Sequence, residues 1–178
     1  IRWDDLWWQR GKSENYDQPV NIYEVYAGGW KHCDKEELTY RMLENELIPY
    51  VKKMGFTHIE LMPLNEYPFD GSWGYQASGY FSVTSRYGTP EEFASFVNAC
   101  HLNGIGVIMD VVYNHTYNVF DSCFYKTSGN YFYRMDPEDE TKYSDASACG
   151  NEIATEKTMV RKYIIDSLCY WASEYHID

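Results

Sequence analysis

With 178 residues, 44% of them hydrophobic and 24% charged, the chain can hold one domain with a sizeable core and has an ordinary globular composition. Its formal charge of −12 argues against nucleic acid and against an anionic membrane surface as partners, because both are bound by clustered Lys and Arg. No apolar run reaches the length of a membrane span, the first residues lack the pattern of a signal peptide, and Ile1 is not an initiator Met, so the true start is expected upstream.

The aromatic share is unusual at 18%, with 18 Tyr and 6 Trp. Tyr and Trp pair a flat apolar face with a polar tip, which suits half-wet clefts that hold sugar rings; a Tyr-rich core is the alternative. The five cysteines (Cys33, Cys100, Cys123, Cys149, Cys169) form no Cys-x-x-Cys pair and no metal-ligand spacing with His. Reduced thiols in a cytoplasmic protein are the expectation, and Cys123 and Cys149, on one long loop, are the pair that export would join.

Residues 1–19 are polar and Trp-rich and read as a lead-in from an upstream domain. A β-rich run at 20–26, closed by Ala27-Gly28-Gly29, predicts a first strand. Asp34 followed by Glu37 predicts a helix start, with Leu43, Leu47, Tyr50, Val51 and Met54 on one face and Gly55 as the stop. Residues 57–63 predict a second strand, and 65–88 a loop too long to be a simple connection. Thr89-Pro-Glu-Glu92 combines a capping Thr, a Pro at the first helical position and a Glu at the third, opening a helix with Phe93, Phe96, Val97 and Cys100 buried.

The stretch from Ile105 to Thr116 is a continuous apolar run of the kind a parallel strand needs when both faces are covered, and it ends in Asp110, Asn114 and His115. Titratable groups at the end of a buried strand are how α/β scaffolds aim chemistry into a crevice. The plainer alternative has Asp110 capping the following turn and His115 as a satisfied surface imidazole. A second long loop is expected from Tyr113 to about Glu156. A last helix follows, with Val160, Tyr163, Ile164, Leu168, Trp171 and Tyr175 on one side.

Strand, helix, strand, helix, strand, helix is an α/β order with a parallel sheet, either doubly wound or part of a (β/α)₈ TIM barrel. No dinucleotide fingerprint follows the first strand and no phosphate-cradling Gly-x-x-x-x-Gly-Lys occurs, while both long loops follow strands, which favours the barrel.

Asp110-Val-Val-Tyr-Asn-His115 resembles the signature after the third strand in the α-amylase superfamily of glycoside hydrolases, and the likeness extends over nearly the whole chain. Asn21-Ile-Tyr-Glu-Val25, Met54-Gly-Phe-Thr-His-Ile-Glu-Leu-Met-Pro-Leu64, Pro68-Phe-Asp-Gly-Ser-Trp-Gly-Tyr-Gln76 and Arg86-Tyr-Gly-Thr-Pro90 are similar to 1,4-α-glucan branching enzymes, which make α-1,6 branches in glycogen. Cys149-Gly-Asn-Glu152, Met159-Val-Arg-Lys-Tyr-Ile-Ile-Asp-Ser167 and Glu174-Tyr-His-Ile-Asp178 are similar instead to type I pullulanases, which cleave α-1,6 bonds. The halves differ, as in an intermediate lineage or a join of two reading frames near Ile108-Met109.

The resemblance implies an enzyme acting on α-glucans such as glycogen, starch and maltooligosaccharides. It implies a cytoplasmic location if the branching likeness governs and an exported one if the pullulanase likeness does. It assigns Tyr75 to stacking on the sugar ring, with Trp73 beside it in Trp-Gly-Tyr, His115 to that ring's hydroxyls, and Asp110 to supporting the site. Asn114 matches a residue that helps hold Ca²⁺ in many α-amylases, a site that branching enzymes and pullulanases often lack, so no cofactor is expected. In the family the nucleophilic Asp follows in Gly-Phe-Arg-x-Asp and the acid Glu lies on the next strand, so both are expected beyond Asp178, which is not the nucleophile. The expected domain is thus the first three β/α units of a TIM barrel over residues 20–178, truncated before the fourth strand, inactive alone. A non-catalytic glucan-binding fragment is the rival reading.

Overall fold

The computed structural model describes residues 2–12, 17–31, 38–117, 123–145 and 148–178, with the side chain of Cys123 excepted. In chain order the elements are α1 (Leu6–Gly11), β1 (Ile22–Val25), α2 (Tyr40–Met42), a π-helical stretch (Leu43–Leu47), α3 (Ile48–Met54), β2 (His58–Leu61), β3 (Asn65–Glu66), β4 (Gly79–Val83), α4 (Pro90–Leu102), β5 (Gly106–Met109), β6 (His115–Thr116), α5 (Cys123–Ser128), β7 (Asn151–Glu152) and α6 (Thr158–Glu174). They form two compact units: residues 1–62, 84–110 and 171–178, and residues 63–83 and 111–170.

The first unit is built on a parallel sheet in the order β1-β2-β5, with Ile22, His58 and Gly106 in register at one end and Val25, Leu61 and Met109 at the other. The sheet has the strand pairing that the sequence predicts, with shorter strands. Val25, Ile59, Leu61, Val107 and Met109 are buried, and alternation along a strand puts them on one face. α4 packs on β5 and on the π-helical stretch. The other face carries Ile22, Glu24, His58, Glu60 and Ile108, all half-buried or exposed. Parallel sheets ordinarily have both faces covered.

α4 has the expected start: the Thr89 hydroxyl accepts from Glu92 N–H, the Glu92 side chain accepts from Thr89 N–H, and Pro90 is at the first position. Phe93, Phe96, Val97 and Cys100 are buried as the spacing predicts. The preceding helix departs from its prediction. Asp34 and Glu37 lie outside the described residues, and the described start is capped by Thr39, whose hydroxyl accepts from Met42 N–H. Leu43, Leu47 and Val51 are buried, but Tyr50 and Met54 are exposed and Ile48 takes a place in the core. The cause is a wide turn: Ile48 N–H reaches back to Leu43 O, and Pro49, having no N–H, cannot make an ordinary helical bond. One extra residue in that turn carries Tyr50 and Met54 outward and brings Ile48 in beside Val51.

The polar opening segment carries α1 and is tied to this unit. Asp5 is buried, and its Oδ2 meets His101 Nδ1 at 2.7 Å and His176 Nδ1 at 2.8 Å. His101 Nε2 meets Asp178 Oδ2 at 3.0 Å, and the Trp8 ring stacks on His101 while its Nε1–H donates to Asp178. Burial raises the Asp178 carboxyl, but hydrogen bonds from His101, Val107 N–H and Trp8 outweigh it and hold the group well below the usual carboxylate range. Asp178 N–H also donates to Val107 O, beside the start of β5.

In the second unit the described parts of the two expected loops carry short elements. β3 pairs antiparallel with β4, β6 pairs antiparallel with β7, and α5 lies between. Ala77, Tyr80, Phe124, Phe132, Tyr133, Ile153 and Val160 form its core. Short hairpins are marginal by themselves, and an aromatic core of this kind supplies the burial they need. Here much of the tyrosine is structural: Tyr80 and Tyr133 are fully buried, as Tyr40 is in the first unit. Leu168 of α6, expected on the buried side, is exposed. Ser167 is buried in its stead, donating to Tyr80 O at 2.6 Å and hydrogen-bonded to the Tyr113 hydroxyl at 2.7 Å.

Candidate functional site

Trp73, Tyr75, Asn114 and His115 belong to the second unit, and Asp110 to the first. Asp110 directly follows β5, and its N–H donates to Leu61 O at 2.9 Å, carrying the parallel ladder one residue past Met109 to the carboxyl end of the strands. That is the position its sequence context predicts.

Trp73 and Tyr75 sit in a compact turn between β3 and β4. Phe69 O accepts from Ser72 N–H and from the Ser72 hydroxyl, Asp70 O accepts from Trp73 N–H, and Ser72 O accepts from Tyr75 N–H. Trp73 has a left-handed φ of 54°, a conformation costly for a bulky residue, and its ring is exposed. Gly74 follows with φ 92°, where a Cβ would lie 2.2 Å from Pro63 O, so only glycine lets the turn press so closely on the chain leaving β2. Tyr75 is half-buried.

His115 is on β6, opposite Glu152 of β7. Two contacts draw its segment to the chain that follows Tyr75, Ala77 O accepting from Tyr117 N–H at 3.4 Å and His115 O accepting from the Tyr80 hydroxyl at 2.9 Å, and ahead of β7 Cys149 O accepts from the Gln76 amide. The segment following β2 and the segment following β5 therefore meet within one unit. Burial pushes the Tyr80 phenol well above its usual range, with Tyr113, Tyr163 and Tyr133 adding to it, so this hydroxyl remains a neutral donor.

His115 is only 6% exposed. Its Nδ1 lies 3.0 Å from Asn114 Oδ1, and its buried Nε2 has no hydrogen-bond partner among the described residues. A buried polar atom left unpaired costs about 1–3 kcal/mol, and a ligand hydroxyl is the kind of group that removes that cost. The alternative of His115 as a satisfied surface imidazole therefore does not hold: the residue is buried and its Nε2 is unpaired among the described residues. Asn114 itself is exposed, and its carbonyl accepts from Ile153 N–H. A Ca²⁺ ion takes about six to eight oxygen ligands. Among the described residues no group of three or more His, Cys, Asp and Glu side chains is arranged to hold a metal.

Sequence reasoning missed Tyr80, Gln76 and Gly150 as parts of this arrangement. Gln76 and Gly150 lie inside motifs quoted above for their resemblance, and Tyr80 carries no local mark, since its hydroxyl reaches 35 residues along the chain.

The sequence model of the α-amylase catalytic domain matches residues 42–148. The chain is 43% identical, over its whole length, to a 1,4-alpha-glucan branching enzyme GlgB from Fusobacterium nucleatum, of which it spans 29%. It is also 43% identical over 99% of its length to the enzyme of the same name from Bacillus caldolyticus, of which it spans 26%. In structure it is similar to a pullulanase mutant from Paenibacillus barengoltzii complexed with maltotetraose, with a TM-score of 0.79 and 28% identity over 89% of this chain and 29% of that one. Pullulanase from Bacillus acidopullulyticus gives a TM-score of 0.77 and 32% identity over 90% of this chain and 24% of that one.

Proposed function

The chain belongs to the α-amylase family through that family's catalytic domain, and from this premise we propose that it is part of a 1,4-α-glucan branching enzyme. The observation that carries the reading is sequence identity of 41–44% to several branching enzymes across essentially the whole chain. On this reading β1, β2 and β5 are the first three strands of an eight-stranded barrel within a domain covering 20–178, following a lead-in at 1–19. The half-covered sheet face with Ile22, Glu24 and Glu60 supports it, since a closed barrel would bury that face.

The substrate is an α-glucan. Tyr75 stacks on a sugar ring with Trp73 beside it, His115 hydrogen-bonds the ring's hydroxyls, and Asp110 supports the site from the end of β5. Cleavage runs by double displacement, which needs a carboxylate nucleophile and a carboxylic acid about 5–5.5 Å apart. Those two groups come from parts of the enzyme outside residues 1–178, so the chain alone is inactive. The cleaved glucan is passed to a sugar 6-hydroxyl instead of water. No metal is assigned to Asn114, and the enzyme works in the cytoplasm.

A second reading, an α-1,6 debranching hydrolase, is favoured by the structural likeness to pullulanases and by Cys149-Gly-Asn-Glu152. Offering amylose and pullulan separately to the intact enzyme tests both. Loss of iodine colour from amylose without new reducing ends is the expected result. New reducing ends from pullulan, with amylose untouched, would replace branching by debranching.

A further inference from the structure

The Cys149–Glu152 segment and the amide of Asn114 have no part in the stacking and hydroxyl contacts described so far, yet both bear on the His115 ring. We propose that Asn114 and Gly150 are positioning residues that hold His115 with its proton on Nδ1 and a bare Nε2 turned to accept from an α-glucan hydroxyl. The proposal rests on the reading of His115 as a sugar contact.

Asn114 Oδ1, 3.0 Å from Nδ1, is an acceptor only, so the contact is favourable when the proton is on Nδ1. A neutral imidazole has one N–H, and Nε2 is then a lone pair. That is the nitrogen left buried without a partner among the described residues. An imidazole in water prefers the opposite tautomer, so the Asn114 contact is what would reverse it. The second-sphere neighbour of a His ring commonly sets its tautomer in this way.

Gly150 lies against the edge of the ring at Cδ2. A Cβ there would lie 2.0 Å from Thr116 O and 3.2 Å from His115 Cδ2, the carbon bonded to Nε2, and the residue has a φ of 152° that side-chain-bearing residues rarely adopt. Its backbone is held by Asp145, whose carboxylate accepts from Gly150 N–H at 3.0 Å. With Tyr80 holding the His115 carbonyl and β7 pairing with β6, the ring has little room to turn. A site that accepts from a hydroxyl discriminates against a sugar lacking it, because the buried nitrogen is again unpaired.

The test uses the intact enzyme with ¹⁵N-labelled histidine, in which two-bond ¹⁵N–¹H correlations report the tautomer and His115→Gln assigns the signals. The expected result, without glucan, is a protonated Nδ1 and a bare Nε2. Asn114→Leu should move the population to Nε2–H and raise KM for maltoheptaose about tenfold with a smaller change in kcat, and Asn114→Asp should restore Nδ1–H. Gly150→Ala should weaken maltoheptaose binding by about tenfold while Nδ1 stays protonated. If that variant does not fold, the wild-type and Asn114 spectra still decide.

An Nε2–H tautomer in the wild type, as a reversed Asn114 amide would give, overturns the positioning role even if maltoheptaose shifts the His115 signals. A protonated Nδ1 with an Nε2 signal that saturating maltoheptaose leaves unmoved overturns the sugar contact, and with it the underlying reading of His115, while the role of Asn114 as the tautomer's anchor stands.

Discussion

The parallel-sheet unit and the hairpin unit are built on different principles. In the first, strands of four residues and a thirteen-residue helix repeat their apolar residues at regular intervals, and each element is stabilised by a face that its own sequence announces. In the second, the strands β6 and β7 are two residues long and hold only because an aromatic core and side-chain bonds over long separations surround them. The residues assigned to glucan contact, other than Asp110, are all in this second unit. On the proposed function, the periodic unit holds the strand end that carries Asp110, and the irregular unit holds the residues proposed to meet the sugar.

Truncation in the sheet unit should have the largest effect on stability. Phe93 is fully buried and touches the rings of Tyr40, Phe96, Trp171 and Tyr175, so Phe93→Ala should cost about 3–5 kcal/mol in urea unfolding. A loss below about 1 kcal/mol would mean that this unit is not held together by its buried face.

Acid should strike the same unit next. Asp5 and Asp178 are both held below their usual range: burial pushes each upward, and hydrogen bonds from His176, His101 and Gln9 on Asp5, and from His101, Val107 and Trp8 on Asp178, outweigh it. A depressed carboxylate contributes stability that is fully present above the unfolded value, about 3.9, and is lost as pH falls toward the folded one. Thermal melts should therefore fall progressively below about pH 4, and Asp178→Asn should flatten that acid limb while lowering stability at pH 7.

In the hairpin unit the effect on binding should exceed the effect on stability. Tyr80→Phe keeps the buried ring and removes the donor to His115 O, with an expected stability cost of about 1–2 kcal/mol. Maltoheptaose affinity should fall, and the acid limb set by Asp178 should be unchanged. Leu168→Gln should do least, within about 0.5 kcal/mol, because Leu168 is exposed where the helical spacing puts it inside.

The capping box of α4 and its buried stripe are legible because each is written within a few residues, and the parallel sheet is legible because strands and helices alternate along the chain. The stripe of the preceding helix was misread at Tyr50 and Met54, since Pro49 and the wide turn before it shift the register by one residue. Hydrophobic spacing also passes over a buried serine, so Ser167 was invisible and Leu168 stood in for it. Asp110, Asn114, His115, Trp73 and Tyr75 are candidates singled out by motif likeness and strand-end placement. The parts that hold His115 in place, Tyr80 and Gly150, act across 35 residues in either direction, a separation at which a single sequence has no voice.

The most direct measurement is a crystal structure of the intact enzyme with maltoheptaose bound. The account predicts a glucose ring on Tyr75 with one of its hydroxyl oxygens about 2.7–3.2 Å from His115 Nε2. A bound glucan that leaves Nε2 buried and out of reach, with Tyr75 facing solvent, would contradict it.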